Sequence, residues 1–239
     1  MEPDFLLSRL LYRDGLILII DKPAGLPVHA GPKGGDNLER YFDALRFGFP
    51  KPPSLAHRLD RDTSGCLVLG RHPKALRRVG KLFQDGRVEK TYWAVLRGVP
   101  AEAEGVIDKP LKKVTTDPRS WWMQTTAADD PEGMATVTGY KVLGTAEGLS
   151  WVAFFPKTGR THQIRVHAAS LGCPVLGDPV YGNEEDKKRA VPMHLHARAV
   201  SLPLYPNKEP VSAEAPPPEH MFKALQTCGC NPELSKPFA

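Results

Sequence analysis

The densest concentration of reactive side chains lies in HRLDRDTSG (57–65), which packs His57, Arg58, Asp60, Arg61, Asp62, Thr63 and Ser64 into nine residues. A carboxylate beside Arg58 and Arg61 keeps its ionised form at neutral pH through opposite charge, the state that a nucleophilic or base-acting aspartate needs. The competing reading is a surface turn tied by Asp–Arg pairs and a Thr or Ser cap. A second crowd, KTGRTHQIRVHAASLG (157–172), brings Lys157, Arg160, His162, Arg165 and His167 to the start of a helix without one acid. Arg160 and Arg165 are candidates to clamp phosphates or to pair with a catalytic carboxylate. Because Ile164, Val166 and Ala168 make the segment largely apolar, some of its charges must be partly buried and need a partner such as Asp60. In a third stretch, KTYWAVLRG (90–98), alternation places Thr91, Trp93 and Val95 on one strand face and Tyr92, Ala94 and Leu96 on the other. A tyrosine on such a face is ordinarily core.

Other chemistries fit these residues less well. A metal hydrolase could recruit His194 and His196, at i, i+2 on one strand face, with His162 or His167, yet the acid-rich company of such a site is missing. Asp60 and Asp62 could be the acid and base of glycoside cleavage, but flanking arginines would hold both ionised. A passive RNA-binding module accounts for the basic segments and leaves the Asp–Arg cluster unexplained.

The elements that must position these groups are short. Leu16–Ile20 reads as a buried strand, followed by the breaker-rich DKPAGLPVHAGPKGG (21–35), an ordered loop or flap. Asp36 with Glu39 offers a capping-box-like start to a short helix carrying Leu38, Tyr41, Phe42 and Leu45. A strand at Cys66–Leu69 precedes a helix that begins at Pro73, presents Leu76, Val79, Leu82 and Phe83 on one face, and stops at Gly86. Strands at 91–96, 121–126, 135–143 and 150–155 have the spacing of an antiparallel meander. A helix over 161–171 ends at Gly172, a strand spans 197–202, a Pro-rich surface strap follows from 203, and a short helix lies near 219–225. A lobe boundary is placed near 98–108.

With 239 residues, 41% hydrophobic and 25% charged, the chain is globular and can bury a core without disulfides or a structural metal. Cys66, Cys173, Cys228 and Cys230 lack the paired spacing of a zinc ribbon and are expected as reduced thiols. Apolar runs such as Leu16–Ile20 fall far short of the roughly 20 residues of a membrane span, and no basic leader opens the chain. A cytoplasmic protein is expected. Between residues 71 and 97, eight basic residues (Arg71, Lys74, Arg77, Arg78, Lys81, Arg87, Lys90, Arg97) face two acids, Asp85 and Glu89. A polyanion is drawn to such a side.

HRLDRDTSG resembles the signature of the RluA-type pseudouridine synthases. DKPAGLPVH (21–29), KTYWAVLRG (90–98), KTGRTHQIRVHAASLGCPVLGDPVYG (157–182) and LHARAVSLP (195–203) resemble that family's other blocks, in its order. The resemblance implies an α+β fold, a bent, mainly antiparallel mixed sheet with flanking helices and a central RNA-binding cleft. It implies isomerisation of uridine to pseudouridine in ribosomal or transfer RNA, with no cofactor or metal, by a monomer needing no protein partner or membrane. Matched residue by residue, Asp60 is the essential aspartate, which attacks the ribose or the base, or abstracts a ribose proton. Tyr92 is the tyrosine that packs against the uracil, and Arg165 the arginine that pairs with the carboxylate. Arg58 is similar to the residue that enters the RNA stack as the target nucleotide leaves. The same blocks supply the remaining expected substrate-binding residues, His57, Arg61, Thr63, Arg160, His162 and Gln163. The alternative is a catalytically idle RNA-binding relative.

Two departures accompany the match. One catalytic domain over 1–239 is expected, without the small N-terminal RNA-binding domain many relatives carry, because the first strand begins near Leu16. Tyr205-Pro206 stands where the family has His-Pro, and the tail with Cys228-Gly-Cys230 has no counterpart.

Overall fold

Asp14 makes the first turn of the chain. Its Oδ1 accepts the backbone N–H groups of Leu16 and Ile17 at 2.7 and 2.8 Å, joining strand β1 (Leu10–Arg13) to β2 (Ile17–Lys22). The computed structural model describes residues 3–31, 34–117 and 120–231. A 3-10 helix over Leu38–Leu45 comes next, then β3 (Ser54–Leu55), β4 (Ser64–Gly70) and α1 (Pro73–Gln84). The expected capping box is absent from the 3-10 helix. Glu39 instead meets Nδ1 of His29 at 2.8 Å, and Asp36 accepts from the Tyr41 hydroxyl. At α1, His72 is the cap, its Nδ1 accepting the Ala75 N–H at 3.2 Å ahead of the expected Pro73.

The chain divides into two units at Lys90/Thr91, not at 98–108. The second unit runs over Thr91–Leu195 and resumes at Glu219, while His196–Pro218 belongs to the first. Its strands are β5 (Glu89–Arg97), β6 (Glu104–Asp108), β7 (Leu111–Asp117), β8 (Ser120–Thr125), β9 (Val137–Ala146) and β10 (Leu149–Pro156), followed by α2 (Gln163–Ser170) and α3 (Glu184–Lys188). The chain then gives β11 (Leu195–Leu202) and β12 (Val211–Glu214), and ends its described course with α4 (Glu219–Thr227).

In the first unit the strand order is β1-β2-β4-β11, with β12 on β11 and β3 on β4. Only β4 and β11 run parallel, through Ser64 opposite His196 and Gly65 opposite Ala197. Gly65, at φ +104°, is the one residue that fits there, since a Cβ would stand 2.2 Å from the Ala197 carbonyl oxygen. Ile17, Ile19, Val68, Val79, Leu82, Val200 and Leu202 form the core of this unit. The Pro-rich strap is no mere surface strap here. It contributes β12, and Ala213 and Ala215 are buried in the same core, while its last residues, 232–239, lie outside the described ones.

In the second unit the order is β5-β10-β9-β6, antiparallel throughout. The expected alternation along β5 holds. Tyr92, Ala94 and Leu96 pack with Phe154, Ile164 and Ala168, while Trp93 and Val95 pack with Trp151 and with Met221 and Leu225 of α4. The strand around 121–126 does not join the meander. It forms a separate two-stranded sheet with β7, whose Leu111 and Met123 pack on Val166 of α2. The fold class is α+β with a mainly antiparallel sheet, as expected.

Candidate active site

In the first unit, the loop 57–65 is built from its backbone outward. The chain turns at Asp60, whose carbonyl accepts the Thr63 N–H at 3.3 Å. Beneath it lies Lys22, fully buried at the end of β2. Its Nζ donates to the carbonyl oxygens of Pro23 and Leu26, both at 2.7 Å, and of Arg61 at 2.9 Å. One ammonium group thus spends its three protons on two loops, 23–26 and 57–63. Burial pulls its pKa down to about 8, although the Asp62, Asp60 and Asp21 carboxylates favour the charged form. His57 ties the loop from the other end, its Nε2 accepting the Val68 N–H at 2.9 Å and its ring lying 4.7 Å from that of Phe83 in α1. Burial, with help from the charge of Lys90, pushes the imidazole down to about 4, so it is neutral. Between these ties Leu59 and Thr63 turn inward and the charged side chains turn outward. Arg58 and Arg61 are exposed, Asp60 is half-buried, Thr63 is buried, and Arg61 forks onto its neighbour Asp62 through Nε and Nη2 at 3.0 and 3.2 Å.

In the second unit, the segment 157–172 does bury charge. Arg165 is 4% exposed, and its Nε and Nη2 meet the two oxygens of Asp178 at 2.7 and 2.8 Å, a bidentate pair with a fully buried carboxylate. Burial would raise the Asp178 pKa, but the Arg165 bonds and charge and the N–H groups of Tyr181 and Val180 outweigh it and hold the carboxyl below its usual range. The guanidinium carbon lies 5.1 Å from the centre of the Tyr181 ring. The Tyr181 hydroxyl accepts the Met123 N–H and meets Nδ1 of His162, both at 2.9 Å. That contact braces a strained residue, because His162 enters α2 at φ +55°. Gln163 is buried and uses both ends of its amide. Oε1 accepts from the Thr158 hydroxyl and the Arg160 N–H, while Nε2 donates to Thr138 and Val137. Arg160 is exposed, and Tyr92 is half-buried on β5, opposite Phe154.

The expected site residues therefore fall into two sets, His57, Arg58, Asp60, Arg61 and Thr63 on the first unit and Tyr92, Arg160, His162, Gln163 and Arg165 on the second. Sequence reasoning missed Lys22, Asp178 and Tyr181. The traces they left are faint: a lysine that follows the apolar run 16–20 and Asp21 at a proline turn, and an aspartate enclosed in LGDPVYG. Of the histidines weighed for a metal, His194 uses Nδ1 on the Pro192 carbonyl, His196 joins the Ser64 hydroxyl to the Ala215 carbonyl, and His167 bridges Thr136 and Thr138. Among the described residues no three His, Cys, Asp or Glu side chains come together as a metal site. The basic run is also smaller than its sequence suggests. Arg71 is buried on backbone carbonyls and the Phe49 ring, and Arg97 is paired with Asp186. No described helix is long and apolar enough to cross a membrane.

A family model described as RNA pseudouridylate synthase matches residues 16–170. An uncharacterised RNA pseudouridine synthase of Zymomonas mobilis is 49% identical over 215 residues, covering 90% of this chain and 95% of its own. The mitochondrial pseudouridylate synthase RPUSD4 of Xenopus tropicalis is 33% identical over 258 residues, covering 92% of this chain and 80% of its own. Among solved structures, human RNA pseudouridylate synthase domain containing 4 aligns with a TM-score of 0.80 at 28% identity, over 95% of each chain.

Proposed function

The chain belongs to the RNA pseudouridylate synthase family, isomerases that act on RNA, and from that premise we propose that it converts uridines of ribosomal or transfer RNA to pseudouridine with Asp60 as the essential carboxylate. The bond from ribose C1′ to N1 breaks, a bond from C1′ to C5 forms, the C5 proton leaves and N1 takes one up. Atoms and electrons balance without an oxidant or reductant. The uridine must leave its stack first, at a cost of a few kcal/mol. Asp60 opens the exchange at the ribose or the base, Tyr92 packs against the uracil, Arg165 orients the carboxylate chemistry, and Arg58 fills the vacated place in the stack.

The observation that carries this reading is the Lys22 clamp. It fixes the backbone that follows Asp60 through the Arg61 carbonyl, while the Asp60 side chain stays half-buried, within reach of a substrate. The other expected binding residues divide by what they already do. Arg58, Arg61 and Arg160 are exposed and placed to meet phosphates, Arg61 in exchange for its fork onto Asp62. His57, Thr63, His162 and Gln163 act by holding loops in shape. We place the enzyme in the cytoplasm as a monomer, where it meets either class of RNA directly.

The test is release of tritium from RNA labelled at uracil C5, on mixed ribosomal and transfer RNA without added metal or nucleotide. Wild type is expected to release tritium, and Asp60→Asn to lose release at least a thousandfold while keeping its fold and most RNA affinity. Release undiminished in Asp60→Asn would remove Asp60 from the chemistry. Binding without release by wild type, on RNA from cells lacking the enzyme, would support the idle relative.

A further inference from the structure

Helix α1 buries Ala75, Val79 and Leu82 in the core of the first unit and turns Lys74, Arg77, Arg78 and Lys81 to the outside. Those four stand at i, i+3, i+4 and i+7, so they form one stripe about 10.5 Å long. The helix contains no Asp or Glu. The carboxylate that meets the stripe is Asp85, past its end, 3.2 Å from Lys81 in an exposed pair. Among the described residues no acid pairs with Lys74, Arg77 or Arg78. Like charges at this spacing destabilise a helix, and Lys74 in the first turn also opposes the helix dipole. A face kept only for solubility would mix signs, as α3 does with Glu184–Lys187 and Glu185–Arg189 pairs.

A second element continues the stripe. The Tyr205 ring lies 5.7 Å from the Arg78 guanidinium and 5.5 Å from Nζ of Lys208. Its hydroxyl is pinned to Asp14 at 2.6 Å, so the ring is a fixed bridge between cations of α1 and of the 203–210 segment. Helix and loop 57–65 share a scaffold, because Phe83 on α1 packs against His57. A duplex presents one negative charge per about 1.7 Å of axis, so a stripe of this length meets several at once.

We propose that Lys74, Arg77, Arg78 and Lys81, continued across Tyr205 by Lys208, form a ridge that binds the sugar–phosphate backbone of the substrate RNA away from the reacting uridine. The proposal rests on the reading that the substrate is RNA. Its contacts position the RNA and carry no sequence preference.

The test compares wild type with Lys74→Gln/Arg77→Gln/Arg78→Gln and with a control, Lys141→Gln/Lys188→Gln/Lys223→Gln, which removes equal charge from the second unit. Filter binding of mixed transfer and ribosomal RNA from 50 to 300 mM KCl reads affinity and salt slope, and tritium release reads kcat and KM. Each phosphate contact contributes about 0.7–0.9 to the slope of log K against log salt. The ridge variant is expected to bind and saturate at least tenfold more weakly, with a slope shallower by two to three and kcat within twofold. The control is expected to match wild type. An unchanged slope and KM in a folded ridge variant, or an equal loss in the control, would overturn the ridge. Should wild type release no tritium while the ridge variant still loses affinity and slope, the isomerase reading fails and the ridge stands.

Discussion

In the first unit the loop 57–65 keeps its charged side chains outward and buries a lysine beneath them, whereas in the second unit the segment 157–172 buries the guanidinium itself. Both stretches crowd cations in the sequence, and the difference lies in what each cation is paired with. Lys22 meets three carbonyl oxygens, so it dictates backbone shape across two loops, and among the described residues it makes no carboxylate pair. Arg165 meets the two oxygens of Asp178, so it dictates where one side chain stands. An ammonium with three divergent protons suits the first task, and a planar fork that is always charged suits the second. The first arrangement leaves its carboxylate, Asp60, half-buried; the second consumes its carboxylate entirely.

The comparison breaks most sharply at Asp178. Removing one partner of a buried ion pair leaves charge with inadequate solvation, at about 3–5 kcal/mol. Asp178→Asn is expected to lower the stability of the protein by that amount in urea unfolding, and to release Tyr181 and the strained entry to α2 with it. A loss below about 1 kcal/mol would show that the pair does not hold the segment.

The Lys22 clamp comes next. Lys22→Met fills the same space but leaves three buried carbonyls without their donor, and a loss of about 2 kcal/mol at pH 7 is expected, part of the cost being offset by relief of a buried charge. The pH dependence separates the two contributions. Lys22 titrates near 8 when folded against 10.5 in the unfolded chain, so between those values the unfolded state binds more protons and stability rises with pH. Below pH 8 the penalty of the buried charge is fully present. Wild type minus Lys22→Met stability should therefore grow on going from pH 8 toward 10, by up to about 3 kcal/mol if titration were complete. A flat difference would mean that the ammonium is not desolvated.

Much of this was legible in the sequence because hydrophobic period and breakers carry it. The two faces of β5, the amphipathic α1 with its Pro73 start, and the stop of α2 at Gly172 all follow from local pattern. What local pattern does not carry is the identity of distant partners. Asp178 lies thirteen residues from Arg165, and Arg61 thirty-nine from Lys22, with nothing in the spacing to join them. The same limit misplaced the strand at 121–126, since alternation reports that a strand exists and not which strand it pairs with. Arg71 and Arg97 looked like parts of a basic face for a related reason: charge is visible in a sequence, and a cation on carbonyls or an ion pair is visible only after folding.

The smallest effect tests the other half of the comparison, that the charged side chains of loop 57–65 do not hold it together. Arg61 offers its carbonyl to Lys22 and its guanidinium to Asp62, and the two roles separate cleanly because only the second belongs to the side chain. The Arg61 side chain is 63% exposed, so the ion pair competes with water at high dielectric and is screened by salt. Arg61→Ala keeps the carbonyl in place and is expected to change stability by less than about 0.5 kcal/mol, with hydrogen exchange at the Thr63 and Val68 amides unaltered. Its RNA affinity should fall with a shallower salt dependence, as for any exposed cation that meets a phosphate. A stability loss above about 1.5 kcal/mol, or faster exchange at Thr63, would mean that the Arg61–Asp62 fork shares the work of the clamp, and the division between a backbone-held loop and a side-chain-held segment would have to be given up.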